Sequence, residues 1–426
     1  MRIIEDLQSA RLVLSRQVPG EAGDDEKERV VRQIVNDVRD RGDTALFEYT
    51  EKFDGVKLTS LEVEKESIER AYREVDTGLI SALKLAAERI TDYHEEQKGS
   101  LCHESTSKNL GWLLRPLNKV GVHVPGFTAP LPSSLLMTAI PARVAGVKEV
   151  ILVTPPGKQG EVSPVTLAAA GIAGVDRVFS IGGAQAVAAL AFGTESVPGV
   201  DKVCGPGNIF VSLAKKVVYG VVGIDGLYGP SEVIIIADDT ASSEYCAADL
   251  LAQAEHGSGA EAILITTSKR MAEKVNGEIE RQLDGLSRKA ITTESLESHG
   301  MIIVVANIEE AIELTNLYAP EHLCLVVKDA ADYVKKVENA GCLFVGENSI
   351  EALVDYVAGP SHVLPTEGTA RFGSGLNIMD FIKLISLVNM DEKDIRQLGR
   401  ATSVIARAEG LDAHARAVEK RLGDKG

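Results

Sequence analysis

The sequence predicts an α/β fold: two Rossmann-like (incomplete) parallel-sheet domains, with an N-terminal helical arm and a C-terminal helical tail. Three observations carry this. From about Lys119 onward, short β-branched runs alternate with Ala-rich helical stretches. Those runs ("NKVGVHV", "KEVILVT", "DRVFSIG", "DKVCG", "SEVIIIAD", "AEAILITTS", "GMIIVVA", "HLCLVV" and "GCLFVG") are apolar almost throughout, as strands covered on both faces must be. A Gly/Pro-rich seam, "GLYGPSE", interrupts the series, which divides so many strands between two sheets.

In chain order, residues 1–22 form the arm. Residues 24–98, exemplified by "DDEKERVVRQIVNDVRDRGDTALFEYTEKFDG", are rich in Glu, Lys, Arg and Ala at helical spacing and predict two or three amphipathic helices that cover something. Residues 23–118 together with 232–368 are expected to make the first α/β domain, and 119–231 the second. The tail spans 369–426, and its last part, from about Asp391, has no strand signal and breaks into helices at Gly410.

The 426-residue chain is long enough for two to four packed units with a cleft between them. Its 62 acidic and 45 basic side chains leave a net charge of -17, which repels phosphate backbones and anionic lipid surfaces and excludes nucleic acid as a partner. The five scattered cysteines form no CxxC pair and fit reduced thiols in a cytoplasmic protein. The start lacks the apolar core of a signal peptide. The longest charge-free run, 120–142, holds four prolines, so no membrane span is expected.

Two strands run into glycine-bearing turns that open helices, "VFSIGGAQAVAALAFG" and "KVCGPGNIFVSLAKKVV". Glycine lets the backbone approach a ligand, and the free N–H groups of a helix start favour an anion such as a pyrophosphate. Tight helix–sheet packing explains such glycines equally well; Gln185 and Asn208 add amides where these turns open. "VHVPGFTAPLPSS", with His123 on its strand, is a third loop that could wall the same crevice.

In "SSEYCAADLLAQAEHG", Ser242 or Ser243 can cap a helix whose end carries Gln253 and His256 on adjacent rows, able to converge on one point. A metal site and a dipole-favoured C-terminal histidine both fit. "NLYAPEHLCLVV" sets Glu321 and His322 just before a buried strand, an acid and a base with distinct tasks or a solvated pair. "VDYVAGPSHVLPT" adds Asp355, a candidate ligand or turn cap, and His362. In "AEGLDAHARAVEKRL", His414 lies on the helix face of Leu411 and Val418, and Glu409 stands at a helix end.

Taken together and in order, "PSSLLMTAIPARVAGVKE", "GGAQAVAALAFGTESVPGVDKVCGPGN", "GPSEV", "AADLLAQAEHG", "APEHL", "DYVAGPSHVLPT" and "EGLDAH" resemble the histidinol dehydrogenase family over nearly the whole chain. The resemblance implies oxidation of L-histidinol to L-histidine with two NAD, through a bound aldehyde, in a cytoplasmic homodimer with shared active sites and one zinc per subunit. It assigns zinc to Gln253, His256, Asp355 and His414, and adds Ser231, His322, His362 and Glu409 as substrate contacts. His322 becomes the base, and Glu321 the residue that activates water. NAD falls to the Gln185 and Asn208 turns and to His123, in the second domain, while the first domain carries the metal and acid/base site. The tail would reach the partner subunit. The chain departs from the family pattern at His123, where tyrosine is usual, at Phe127, at Val354, and at Leu227–Tyr228. A paralogue acting on another primary alcohol, a zinc hydrolase and a non-catalytic scaffold are the competing readings.

Overall fold

The computed structural model describes residues 1–16, 24–106, 109–126 and 130–423. Phe127 lies outside them. Two compact units partition the chain: Met1–Glu96 with Leu117–Phe381, and Gln97–Pro116 with Ile382–Gly426.

The chain begins with β1 (Arg2–Ile4) and α1 (Leu7–Leu14), followed by α2 (Asp24–Arg41), α3 (Asp43–Asp54), α4 (Lys65–Glu74) and α5 (Thr77–Leu101). Gly42 and Gly55, both at positive φ, break the first of these amphipathic runs, so four helices stand where two or three are predicted. After β2 (Leu110–Pro116) come β3 (Lys119–His123), α6 (Pro132–Ala145), β4 (Glu149–Thr154), α7 (Pro164–Ile172), β5 (Arg177–Ser180), α8 (Gly183–Phe192), β6 (Lys202–Cys204), α9 (Ile209–Val218) and β7 (Gly223–Ile224). Then follow β8 (Glu232–Ala237), α10 (Ser243–Ala254), β9 (Glu261–Thr266), α11 (Lys269–Leu283), α12 (Lys289–Ser298), β10 (Met301–Val304), α13 (Ile308–Tyr318), β11 (His322–Val326), β12 (Cys342–Val345) and α14 (Glu351–Tyr356). The chain ends with β13 (Ile382–Val388), α15 (Glu392–Ala408) and α16 (Asp412–Leu422).

Within the first unit, one parallel sheet has the order β5-β4-β3-β6-β7 and another the order β1-β10-β9-β8-β11-β12. All nine predicted strands are present, divided at the expected seam. The continuous apolar runs have a direct cause in the larger sheet. Val233 and Ile235 face α10, α11 and α12, while Ile234 and Ile236 face α1 and α13. The arm is more than helical, because β1 adds an edge strand against β10.

Helices α2 and α3 pack differently from the expected grouping of 23–118 with 232–368. Val31, Ile34, Val35 and Val38 of α2, with Ala45 and Leu46 of α3, share one core with Phe179, α8 and α9 of the five-stranded sheet. An amphipathic stripe specifies that a face is covered and carries no address for the sheet that covers it.

The strand order reverses between β3 and β6 in the smaller sheet and, past the edge strand β1, between β8 and β11 in the larger one, and such switch points open crevices. In the smaller sheet the glycine turn after Cys204 lies at the carboxyl end of its strand. In the larger one, Ser231, Glu321 and His322 lie at the amino ends of β8 and β11.

The second unit pairs β2 with β13 antiparallel, from Leu110↔Val388 to Pro116↔Ile382. This strand within the predicted helical tail is a correction, and its alternation is weak because Leu384, Ile385 and Val388 are exposed. Asp391 and Asp394 make a reciprocal cap at the start of α15. Gly399 lets α16 approach, since a Cβ there would sit 2.9 Å from Val418.

Candidate active site

The chain leaves α13 through Ala319 in the left-handed region (φ 55°), at a cost of about 1–2 kcal/mol, and Pro320 then delivers Glu321 and His322 to β11. Because β11 lies beside β8, with His322 in register with Val233, Glu321 falls opposite Glu232. The main-chain N–H of Glu232 donates to Glu321 Oε2 at 2.9 Å, and its carbonyl accepts from His322 Nδ1 at 3.1 Å. A carbonyl only accepts, so Nδ1 carries the proton and Nε2 holds a lone pair, with no hydrogen-bond partner among the described residues. Both side chains are almost fully buried, 3.7 Å apart. Burial holds the His322 imidazole down to about 4, and pushes the Glu321 carboxyl well up, with the negative charges of Glu232 and Asp355 adding to the rise.

Ser242 caps α10 by accepting from Tyr245 N–H, and the helix ends at Ala254, two residues earlier than its sequence suggests. His256 therefore sits just beyond it. Its Nδ1 faces the Ala252 and Gln253 carbonyls at 3.1 and 3.3 Å, leaving Nε2 outward. Gln253 is fully buried, and neither its oxygen nor its nitrogen has a hydrogen-bond partner among the described residues. Two orphaned amide atoms in a core are costly enough to point to a ligand that completes them.

On α14, Asp355 lies with His322 and Glu351, their nearest ligand atoms all within 4.8 Å of one another. Its carbonyl accepts from His362 Nδ1 at 2.8 Å, while His362 Nε2 meets Ser134 Oγ at 3.0 Å. Burial lowers the His362 imidazole, and the negative charge of Asp355 opposes that shift. Glu351 is pushed well up by burial, then by Asp355, Glu321 and Asp249; burial lifts Asp249 to about 6. So many carboxylates, with no lysine or arginine among the described residues acting on Glu351 or Asp249, form a donor set that suits a divalent cation.

A cavity of about 590 Å³ joins these groups. Ser231, His256, Glu321, His322, Asp355 and His362 line it, as do Pro125, Leu131 and Ser134 from the proline-stiffened loop and α6, and Pro206 and Gly207 from the second glycine turn. Gln253, fully buried, is not among the lining residues. His123, Gln185 and Asn208 are not among the lining residues. Asn208 caps α9 through Oδ1, which accepts from Phe210 and Val211 N–H, so its amide nitrogen is the part left for a ligand. His123 is buried, held near 4 by desolvation, with Nδ1 donating to the Pro206 carbonyl at 2.8 Å. Glu409 and His414 belong to the second unit, where both are exposed.

A family model described as histidinol dehydrogenase matches residues 19–422. The chain belongs to the histidinol dehydrogenase family. It is 57% identical over 395 residues to the histidinol dehydrogenase of Dehalococcoides mccartyi strain CBDB1, covering 93% of this chain and 91% of that one. It is 50% identical over 399 residues to that of Deinococcus radiodurans, at 93% and 91% coverage. The crystal structure of histidinol dehydrogenase from Elizabethkingia anophelis superposes with a TM-score of 0.93 at 38% identity, covering 99% of this chain and 97% of that chain.

Against the histidinol dehydrogenase motifs quoted above, the geometry adds residues that were not singled out. Glu351 and Asp249 were legible in principle, each four residues before a candidate, Asp355 and Gln253, and so on the same helix face. Arg16 carried no such signal. It pairs with the buried Glu232 carboxylate at 2.6 Å, its guanidinium 3.9 Å from the Tyr318 ring centre.

Proposed function

We propose that this chain carries out the NAD-dependent four-electron oxidation of L-histidinol to L-histidine through L-histidinal, as the last step of histidine biosynthesis. Family membership supports the activity. The observation that carries the mechanism is a neutral His322, fixed as the Nδ1–H form with a free Nε2, beside Glu321 on the wall of one cavity.

The buried, unpartnered Gln253 amide and the carboxylates around Asp355 fit a zinc ion. Gln253, His256 and Asp355 would hold it with His414, which we assign to the partner subunit of a homodimer. Zinc would bind the amino alcohol and offset the gathered negative charge. Exposed Leu384, Val388, Val404 and Ile405 in the second unit support that assembly.

His322 Nε2 takes the hydroxyl proton as hydride leaves the adjacent carbon for NAD, giving the aldehyde. Glu321, once ionised, takes a proton from water attacking that aldehyde, and His322 returns its proton to the aldehyde oxygen, which gives the neutral hydrate and frees Nε2 again. His322 then accepts the hydrate proton as a second hydride goes to a second NAD. Ser231, His362 and Glu409 would position the substrate, while Gln185 and Asn208 would contact NAD and His123 would hold the turn that leads to Asn208. Holding the aldehyde in the cavity between the two steps would limit its loss.

Purified protein should yield about two NADH per L-histidinol, as two successive hydride transfers require. A single NADH with released aldehyde would count against this reading. Turnover of another primary alcohol in preference to L-histidinol would favour a paralogue.

A further inference from the structure

The smaller sheet holds a buried ion pair whose partners close on one peptide. Lys215 Nζ donates to Asp225 Oδ1 at 2.6 Å, with both side chains almost wholly buried. The same ammonium donates to the Gly205 carbonyl at 2.5 Å, and Asp225 Oδ2 accepts from the Gly205 N–H at 2.6 Å. Gly205 is thus held at both its donor and its acceptor. It sits at φ 106°, where a Cβ would lie 2.2 Å from the His123 carbonyl. The next residue is held too, because His123 Nδ1 donates to the Pro206 carbonyl. The Tyr228 ring centre lies 4.9 Å from Lys215 Nζ, and Ser212 Oγ donates to the Tyr228 carbonyl.

We propose that Lys215 and Asp225 are positioning residues for the nucleotide turn, fixing Gly205 through Asn208 in its ligand-ready shape before NAD arrives. The proposal rests on the reading of this turn as part of the NAD site. Pro206 and Gly207 form part of the cavity wall, and Asn208 opens α9, so each lies within three residues of the clamped peptide. A glycine-rich turn is free to sample many shapes, and fixing it in advance removes the ordering cost from binding. A bare packing role would be served by apolar side chains of similar volume, without two buried charges.

Three measurements test this. In the parent, hydrogen exchange over 203–212 should be slow without NAD and change little when NAD is added. Rapid exchange that slows only with NAD would overturn the proposal. Lys215→Met and the charge-removing double variant Lys215→Met with Asp225→Asn should raise the KM for NAD about tenfold or more through lost pre-organisation. The kcat and the KM for L-histidinol should stay within about twofold. Variants that fold and keep the parent KM for NAD would also overturn it. Calorimetric titration of the parent with NAD separates the two readings. If the parent does not bind NAD, the functional reading fails; if parent and variants bind equally, only the clamp fails.

Discussion

The Glu321 carboxylate accepts the main-chain N–H of Glu232 at 2.9 Å, and the carbonyl of that same residue receives the Nδ1 proton of His322. The first residue of β8 therefore orients both members of the acid/base pair at the start of β11. The arrangement follows from parallel pairing, which puts residues 321 and 232 side by side where the two strands begin.

The first consequence is the protonation state of His322. Its folded value near 4 lies below the usual 6.5, so the folded protein binds fewer protons than the unfolded chain between these values. This group's contribution to stability is present above about 6.5 and is lost as pH falls through 4. Imidazole 15N spectra should show His322 neutral with the proton on Nδ1 at pH 6. His322→Asn should lower kcat by about 10²–10⁴. A signal titrating near 6.5 would sink the assignment of its neutral form.

Arg16 should matter to catalysis without touching substrate. It pairs with Glu232, donates to the Tyr318 carbonyl through Nε, and leaves the other Glu232 oxygen to the Glu367 N–H. Arg16→Met would leave the Glu232 carboxylate buried and unpaired and disturb the segment that orients His322 and Glu321. We expect kcat to fall about tenfold in folded protein, with KM values little changed. Arg16→Lys should restore part of it. Unchanged kcat in a folded Arg16→Met variant would show the pair to be purely structural.

The strands and the two-sheet division were legible because fully buried parallel strands leave unbroken apolar runs. The packing of α2 and α3 was not, since their stripes fit either sheet. In the site, Gln253, His256, Asp355 and His362 stood out through helical spacing and turn chemistry. Arg16 and Lys215 did not, because each acts on a distant stretch, meeting Glu232 and Gly205 only when the fold closes. The β13 strand escaped notice for another reason: "IKLISLV" buries neither face well enough to show alternation.

Gln253 offers a test of the metal reading on stability. Its amide is buried without partners, so Gln253→Met should raise the unfolding free energy of chelator-treated protein by about 1–3 kcal/mol. The same change should reduce zinc content measured by elemental analysis. The parent alone should gain strongly in melting temperature when zinc is restored. Equal zinc content in parent and variant would remove Gln253 from the ligand set.

Asp249 gives the opposite pH signature to His322. Its carboxyl is raised from 3.8 to about 6 by burial, so the folded, chelated protein binds more protons than the unfolded chain in that interval. Its contribution to stability is full below about 3.8 and is lost as pH climbs through 6, leaving a strained, ionised group at neutral pH. Asp249→Asn should therefore raise the melting temperature of metal-free protein at pH 7, with a gain that shrinks steadily on acidification and vanishes near pH 4. Restoring zinc should diminish that gain at pH 7, because a nearby cation favours the ionised carboxylate that the variant lacks. A gain independent of pH would mean that Asp249 stays ionised at no cost, and would place it outside the charge cluster around Glu351.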